Sequence, residues 1–213
     1  MVYSWENFPN TRSNTEAMMA NEWDECAAQW EQDESTTLFA QNVFQQLQKR
    51  VTLEGKHVLD FGCGTGLLSQ MMSRHARDIV ALDGSESEAM IEELDKKELV
   101  NVEPVVDFLT RGLVAQHPAF RKQFDLVVAS SVCAFVPNLN EVFTIIHSLL
   151  DEHGVFIHWD WLVEEDDPDY GLSQNQIETQ LKSAGFSQVE TAVAFEIKNS
   201  KGLAPVVMGI GRK

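Results

Sequence analysis

The sequence predicts an α/β fold: a mostly parallel sheet covered by helices on both faces, closed by an antiparallel hairpin and preceded by a helical lid. Three observations carry that prediction. From His57 onward, short apolar runs alternate with amphipathic stretches in the order strand, helix, strand, helix. The runs are continuously apolar, as strands buried on both faces require. The last two strand-like segments, SQVETAVAFEIK and APVVMGIGRK, are joined by the turn-like NSKG, which reads as a hairpin.

Residues 1–50 precede the alternation and read as helical. Trp23, Ala27 and Trp30 fall at i, i+4 and i+7, and Phe39, Val43 and Leu47 at i, i+4 and i+8, with a break near Asp33-Glu34-Ser35. Tyr3, Trp5 and Phe8 are too many aromatics for a simple tail. The chain is expected to be a single domain over 1–213, with a helical lid at 1–50 and an α/β core at 55–213.

In the core, HVLDFG is the first strand, and Leu67, Leu68, Met71, Met72 and His75 mark the helix after it. DIVALD at 78–83 is the second strand, followed by a helix that Ser85 and Glu88 open as a capping box. The third strand, Val102 to Leu109, contains Pro104, which cannot donate to a ladder and so belongs at the sheet's border. FDLVVAS at 124–130 is the fourth. A helix with Val142, Ile145, Ile146 and Leu149 is expected to end at Gly154, before the strand VFIHWDW at 155–161. Beyond the acidic loop EEDDPD, Ser173 and Gln176 cap a helix with Ile177, Leu181 and Ala184 inside and Gly185 as its stop.

Composition excludes several classes. With 44% hydrophobic and 23% charged residues the chain is an ordinary globule, and it has no apolar run near the ~20 residues that span a bilayer. MVYSWENFPNTRSN lacks the basic start and apolar stretch of a signal peptide, so a cytoplasmic location is expected, with no membrane partner. Cys26, Cys63 and Cys133 lie far apart without C-x-x-C pairing, and the six histidines show no H-E-x-x-H spacing, so reduced thiols and no structural metal are expected. The net charge of −17, from 33 acidic against 16 basic side chains, repels phosphate backbones and argues against nucleic acid.

The chemistry concentrates in HVLDFGCGTGLL. Gly62, Gly64 and Gly66 stand at every second position after a strand. They either let a ligand reach the backbone, helped by the start of the helix near Thr65, or allow close packing of helix on strand. A dinucleotide G-x-G-x-x-G fingerprint needs glycine at Leu67, so the pattern is D-x-G-x-G-x-G with Asp60 at its head. Parallel sheets bind ligands outside the carboxyl ends of their strands, where this loop lies.

The pattern resembles the first motif of the class I S-adenosylmethionine-dependent methyltransferases. IVALDGSESEAM is similar to their second motif, FDLVVASSVCAFVPN to the region of strand four, LLDEHGVFIHWDW to strand five, and LKSAGF with the hairpin to the family's end. The resemblance spans about residues 55–213. It implies a Rossmann-like seven-stranded sheet, S-adenosyl-L-methionine as cofactor and methyl transfer to a small-molecule acceptor under the N-terminal helices. Methylation of a protein side chain, another use of the cofactor, or a non-catalytic binding domain are the alternatives; Leu67 weakens a nicotinamide dehydrogenase.

Residue by residue, the resemblance implies that Gly62, Cys63 and Gly64 cradle the cofactor, with Cys63 a small filler. Asp83, seventeen residues past Gly66 and followed by Gly84, would grip the ribose diol, or serve only as a helix-start acid. Asp107 would accept from the adenine amino group with the Phe108 N–H beside it, or is a solvated loop acid. The Ser130 carbonyl would hold the methionine amine, and Asp60 would orient the loop and the same amine. Phe135 departs from the histidine many relatives carry after strand four.

A methyl sulfonium is already a strong electrophile, so alignment and exclusion of water come first and a base is an addition. Asp160 and His158 are the catalytic candidates. Strand alternation puts them on one side of strand five, with Trp159 and Trp161 on the other. Either pair faces the cleft or belongs to the core. The loop at 164–169 is a solvated face or recognises a cation.

Overall fold

In a computed structural model, residues 31–84, 88–164, 171–199 and 202–213 are described. The expected helix at 23–30, the N-terminal aromatics, the Ser85 cap, most of the acidic loop and the tip of the hairpin lie outside these residues.

Phe39, Val43 and Leu47 recur every four residues, and the segment forms helix α1 (Glu34–Arg50) with that stripe buried. Asp33 caps it by accepting the Ser35 N–H at 2.8 Å, and Lys49 and Arg50 sit in the last turn, where the helix dipole favours cations. The core follows as β1 (His57–Phe61), α2 (Leu67–Met72), β2 (Asp78–Asp83), α3 (Glu88–Asp95), β3 (Val102–Val106), α4 (Arg111–Gln116), β4 (Phe124–Ser130), α5 (Leu139–Leu149), β5 (Leu150–Trp161), α6 (Gln174–Ser183), β6 (Gln188–Asn199) and β7 (Gly202–Arg212).

The seven strands form one sheet in the order β3-β2-β1-β4-β5-β7-β6. The first five are parallel, and β7 inserts antiparallel between β5 and β6 as the second arm of the hairpin. Pro104 lies in β3 at the edge, where its missing N–H breaks no inner ladder. The chain runs outward from β1 to β3 and then returns to place β4 on the other side of β1. Strand order reverses there, and the crevice outside the carboxyl ends of β1 and β4 is the place for a ligand.

Alternation along the strands divides the core in two. Val155, Ile157 and Trp159 join Phe39, Val43, Leu47 and Met72 on the face covered by α1 and α2. Phe156, with Phe143, Ile146, Ile177 and Leu181, occupies the opposite face under α5 and α6. Each large apolar side chain fully buried this way contributes roughly 1.5–3 kcal/mol, so Phe39, Val43 and Leu47 alone hold α1 firmly on the sheet.

Two boundaries differ from expectation. β3 ends at Val106; the chain then turns, and Thr110 caps the unanticipated α4 by accepting the Leu113 N–H. Helix α5 ends at Leu149 rather than at Gly154, because Leu150 is already extended and starts β5. Gly154 lies inside that strand, where a Cβ would come within 2.8 Å of the Leu150 Cβ. At α6 the Ser173–Gln176 capping box forms in both directions, and Gly185 stops the helix at a φ of 101°. Among the described residues no helix is long and apolar enough to cross a membrane.

Candidate active site

β1 ends at Phe61 and the chain enters the glycine loop. The Gly62 and Cys63 N–H groups donate to the Leu82 carbonyl at 2.8 and 3.1 Å, which pins the loop to the end of β2. Gly62, Gly64 and Gly66 have φ of 71°, 53° and 79°, all left-handed, as glycine alone adopts without strain. Their surroundings differ. A Cβ on Gly62 would sit 2.4 Å from Val132 and one on Gly66 would sit 2.3 Å from Leu94, whereas one on Gly64 would meet nothing within 4 Å. Close packing therefore bears on two of the glycines, whereas at Gly64 the space is open among the described residues.

Asp83 closes the loop from the other side. Its carboxylate accepts the Gly64 N–H at 2.6 Å and the Gly84 N–H at 2.9 Å. The next strand end is tied in by the Asp107 N–H, which donates to the Asp83 carbonyl at 2.8 Å. Asp107 is exposed and accepts the Phe108 N–H at 2.7 Å, so that N–H is engaged by its own neighbour. The Phe108 ring, 52% exposed, lies over Gly84, where a Cβ would approach it to 3.0 Å. Asp83, Gly84, Asp107 and Phe108 thus meet at the carboxyl ends of β2 and β3.

Beneath the loop Asp60 is buried. The Ser69 hydroxyl of α2 donates to its Oδ2 at 2.6 Å, while its Oδ1 has no partner among the described residues. Burial pushes this carboxyl up to about 7; the Ser69 bond opposes that shift and the nearby Asp83 adds to it. Burial, reinforced by Asp83 and Asp60, raises the Cys63 thiol well above its usual range, so it stays a neutral filler and no thiolate nucleophile forms.

Ser130 ends β4 in register with Trp159. Ser131 beside it adopts a φ of 57°, rare for a residue with a side chain, and its N–H donates to the Trp159 carbonyl at 2.7 Å. Sequence reasoning passed over Ser131, Val132 and Ser69. Nothing local marks them, since the strained turn and the contacts with Gly62 and Asp60 are made across the fold.

His158 and Asp160 lie on one side of β5, as alternation requires, but that side is the packed face under α5 and α6. They are 0% and 1% exposed. His158 Nδ1 bonds Asp160 Oδ2 at 2.7 Å, and its ring stacks on Phe156 at 5.3 Å between centroids. Its Nε2 faces Gly209, where a Cβ would sit 2.3 Å away. Asp160 Oδ1 accepts the Ala134 N–H at 3.2 Å. Within the described residues, then, the two groups expected to serve an acceptor are enclosed side chains bonded to each other. Alternation distinguishes the faces of a sheet, and both side chains are turned to a face that helices cover.

Residues 33–183 match the family model described as a methyltransferase domain. The chain belongs to this family. Among curated relatives of the methyltransferase domain, the ubiquinone biosynthesis O-methyltransferase of Coxiella burnetii is 49% identical over 41 residues, 19% of this chain and 18% of that protein. Its counterpart in Pseudomonas entomophila is 32% identical over 98 residues, 45% of this chain and 40% of that protein. The methyltransferase domain therefore spans well under two thirds of these relatives. Among solved structures, a DhpI complex with SAM and HEP superposes with a TM-score of 0.69 at 18% identity, covering 92% of this chain and 99% of that one. That likeness is one of fold.

Proposed function

We propose that this methyltransferase domain moves the methyl group of S-adenosyl-L-methionine to a small-molecule acceptor. The observation that carries the reading is the pairing of the Asp83 carboxylate with the open backbone of Gly64 across the ends of β1 and β2. A carboxylate there accepts from both hydroxyls of a ribose, and a glycine with nothing over its Cβ position admits a ligand to the main chain.

The other residues fit the same cofactor. Asp60 Oδ1, buried and without a partner among the described residues, suits the ammonium of the methionine portion, together with the Ser130 carbonyl. Phe108, exposed over Gly84, supplies a face for the adenine beside Asp107. When bound, the cofactor supplies an electrophilic methyl group, and the chain's own part is to hold the donor rigidly, align the acceptor and exclude water. Small-molecule acceptors, with oxygen as the atom to test first, are supported by the names of the partial curated relatives.

The test is transfer itself. The chain, incubated with methyl-labelled cofactor and a metabolite extract, is expected to label a small molecule. Label that appears only in protein would move the acceptor to a side chain, and cofactor binding with no labelled product would favour a non-catalytic role.

A further inference from the structure

The His158–Asp160 pair is buried, and it is bonded to the turn that packs on the glycine loop. After β4 the chain makes a 3-10 turn, Cys133–Phe135. Two bonds tie this segment to β5: the Ser131 N–H donates to the Trp159 carbonyl at 2.7 Å, and the Ala134 N–H donates to Asp160 Oδ1 at 3.2 Å. Asp160 is itself oriented by His158 through its other oxygen, at 2.7 Å. Burial, with the Asp160 carboxylate nearby, holds the Cys133 thiol protonated. The Cys133 Sγ, a His158 ring nitrogen and an Asp160 carboxylate oxygen lie within 4.8 Å of one another.

Between the two ties stands Val132. Its methyl groups fill the space over Gly62 so closely that any Cβ there would come within 2.4 to 2.8 Å of three of its carbons. Ser131, just before it, is held at a φ of 57°, a conformation that costs roughly 1–3 kcal/mol and persists only where surroundings over-determine it. The two ties to β5 supply that determination. A buried carboxylate whose oxygens accept from an imidazole and a main-chain N–H is also a rigid support, because leaving any of these groups unpaired in the interior is expensive.

We infer that His158 and Asp160 are positioning residues: a buried brace that fixes the turn after β4 and, through Val132, sets the backbone of the glycine loop for the cofactor. The inference rests on the methyltransferase reading above. Neither residue touches cofactor or acceptor. Asp160 fixes Ala134, the turn fixes Val132, and Val132 fixes Gly62, whose N–H is pinned to Leu82 on the far side. A contiguous chain of packed and bonded groups of this kind transmits a disturbance at β5 to the cofactor.

The experiment measures S-adenosylhomocysteine affinity by calorimetry alongside Tm for the full chain. Asp160→Asn keeps the shape and an acceptor oxygen for the Ala134 N–H, but it removes the charged acceptor that faces His158 Nδ1, so the charge-assisted bond is lost. It is expected to weaken binding by about five- to tenfold. His158→Phe, which keeps the stacking and removes the donor, and Val132→Ala, which acts beyond the brace, are expected to do the same. The double variant Asp160→Asn/Val132→Ala should lose little more than the worse single variant, since both act on one path. Phe186→Leu, which loosens the same core face with the Phe156 ring between it and His158, should lower Tm and leave affinity within about twofold. If Asp160→Asn does not fold, His158→Phe and Val132→Ala decide the matter. Affinities within twofold of wild type in these folded variants, or a loss in Phe186→Leu as large as theirs at equal Tm, overturn the brace. A wild-type chain that does not bind S-adenosylhomocysteine overturns the methyltransferase reading instead, and the brace's assigned purpose with it.

Discussion

The Asp83 carboxylate accepts the Gly64 N–H at 2.6 Å, joining the end of the second strand to the loop that leaves the first. The same carboxylate holds the Gly84 N–H at 2.9 Å, so one side chain organises both backbones at the crevice. Asp83→Ala is expected to weaken cofactor binding by about 1.5–3 kcal/mol, the usual worth of hydrogen bonds to a charged group, on the order of tenfold to a hundredfold. The fold should survive, because Asp83 is only half-buried. Calorimetry together with a thermal melt checks both halves of the prediction.

The three glycines of the loop should separate stability from binding. Alanine at any of them must adopt a left-handed φ, at about 1–2 kcal/mol. Gly62→Ala adds a clash with the stiff, β-branched Val132, so its Tm should fall most. Gly64→Ala meets no protein atom and should lower Tm by only about 2–8 °C, while its methyl group projects into the space assigned to the cofactor and weakens binding. Normal affinity in Gly64→Ala would remove the cradle from the account.

The buried Asp60 makes stability and binding depend on pH. Its folded-state value of about 7 lies above the ordinary 3.8, so the folded chain holds this proton more tightly than the unfolded one. Its contribution is fully present below 3.8 and is lost as pH rises toward and through 7. Asp60→Asn, always neutral, should flatten that decline, which is worth at most about 4 kcal/mol. A cofactor ammonium against the ionised carboxylate favours the charged form, so affinity should rise with pH up to about 7 in wild type and stay flat in Asp60→Asn. Titrations at several pH values read this directly.

Ser131 carries strain at a φ of 57° that glycine does not feel. Ser131→Gly is expected to leave stability unchanged or raise it by up to about 1 kcal/mol, and Ser131→Ile to lower it by more than that. Urea melts of the two variants measure the difference. A Ser131→Ile chain as stable as wild type would mean that the turn relaxes freely.

Much of the architecture was legible because it follows from periodicity and a few special residues. Continuous apolar runs marked inner strands, Pro104 marked the edge, and Ser173 with Gln176 marked a helix start. The helix α4 was missed because Thr110 caps only six residues with one buried side chain, too short for a period to show. Gly154 misled because a glycine after an apolar helix reads as a stop, whereas here close packing on Leu150 inside a strand requires it. At the site, the spacing of Asp60, the glycines and Asp83 was readable, since consecutive parallel strands bring their ends together by topology alone. The surroundings of His158 and Asp160 were not. Which face of β5 is open depends on where α5 and α6 pack, and no local signal records that.

The most direct measurement is a calorimetric titration of the purified chain with S-adenosylhomocysteine and, separately, with NADH. D-x-G-x-G-x-G with Leu67 in place of a glycine, Asp83 across from Gly64, and the buried free oxygen of Asp60 all point to the first ligand. The account predicts saturable one-to-one binding of S-adenosylhomocysteine, abolished or strongly weakened in Asp83→Ala, and negligible heat with NADH. Preferential binding of NADH, or S-adenosylhomocysteine binding that Asp83→Ala leaves intact, would contradict it.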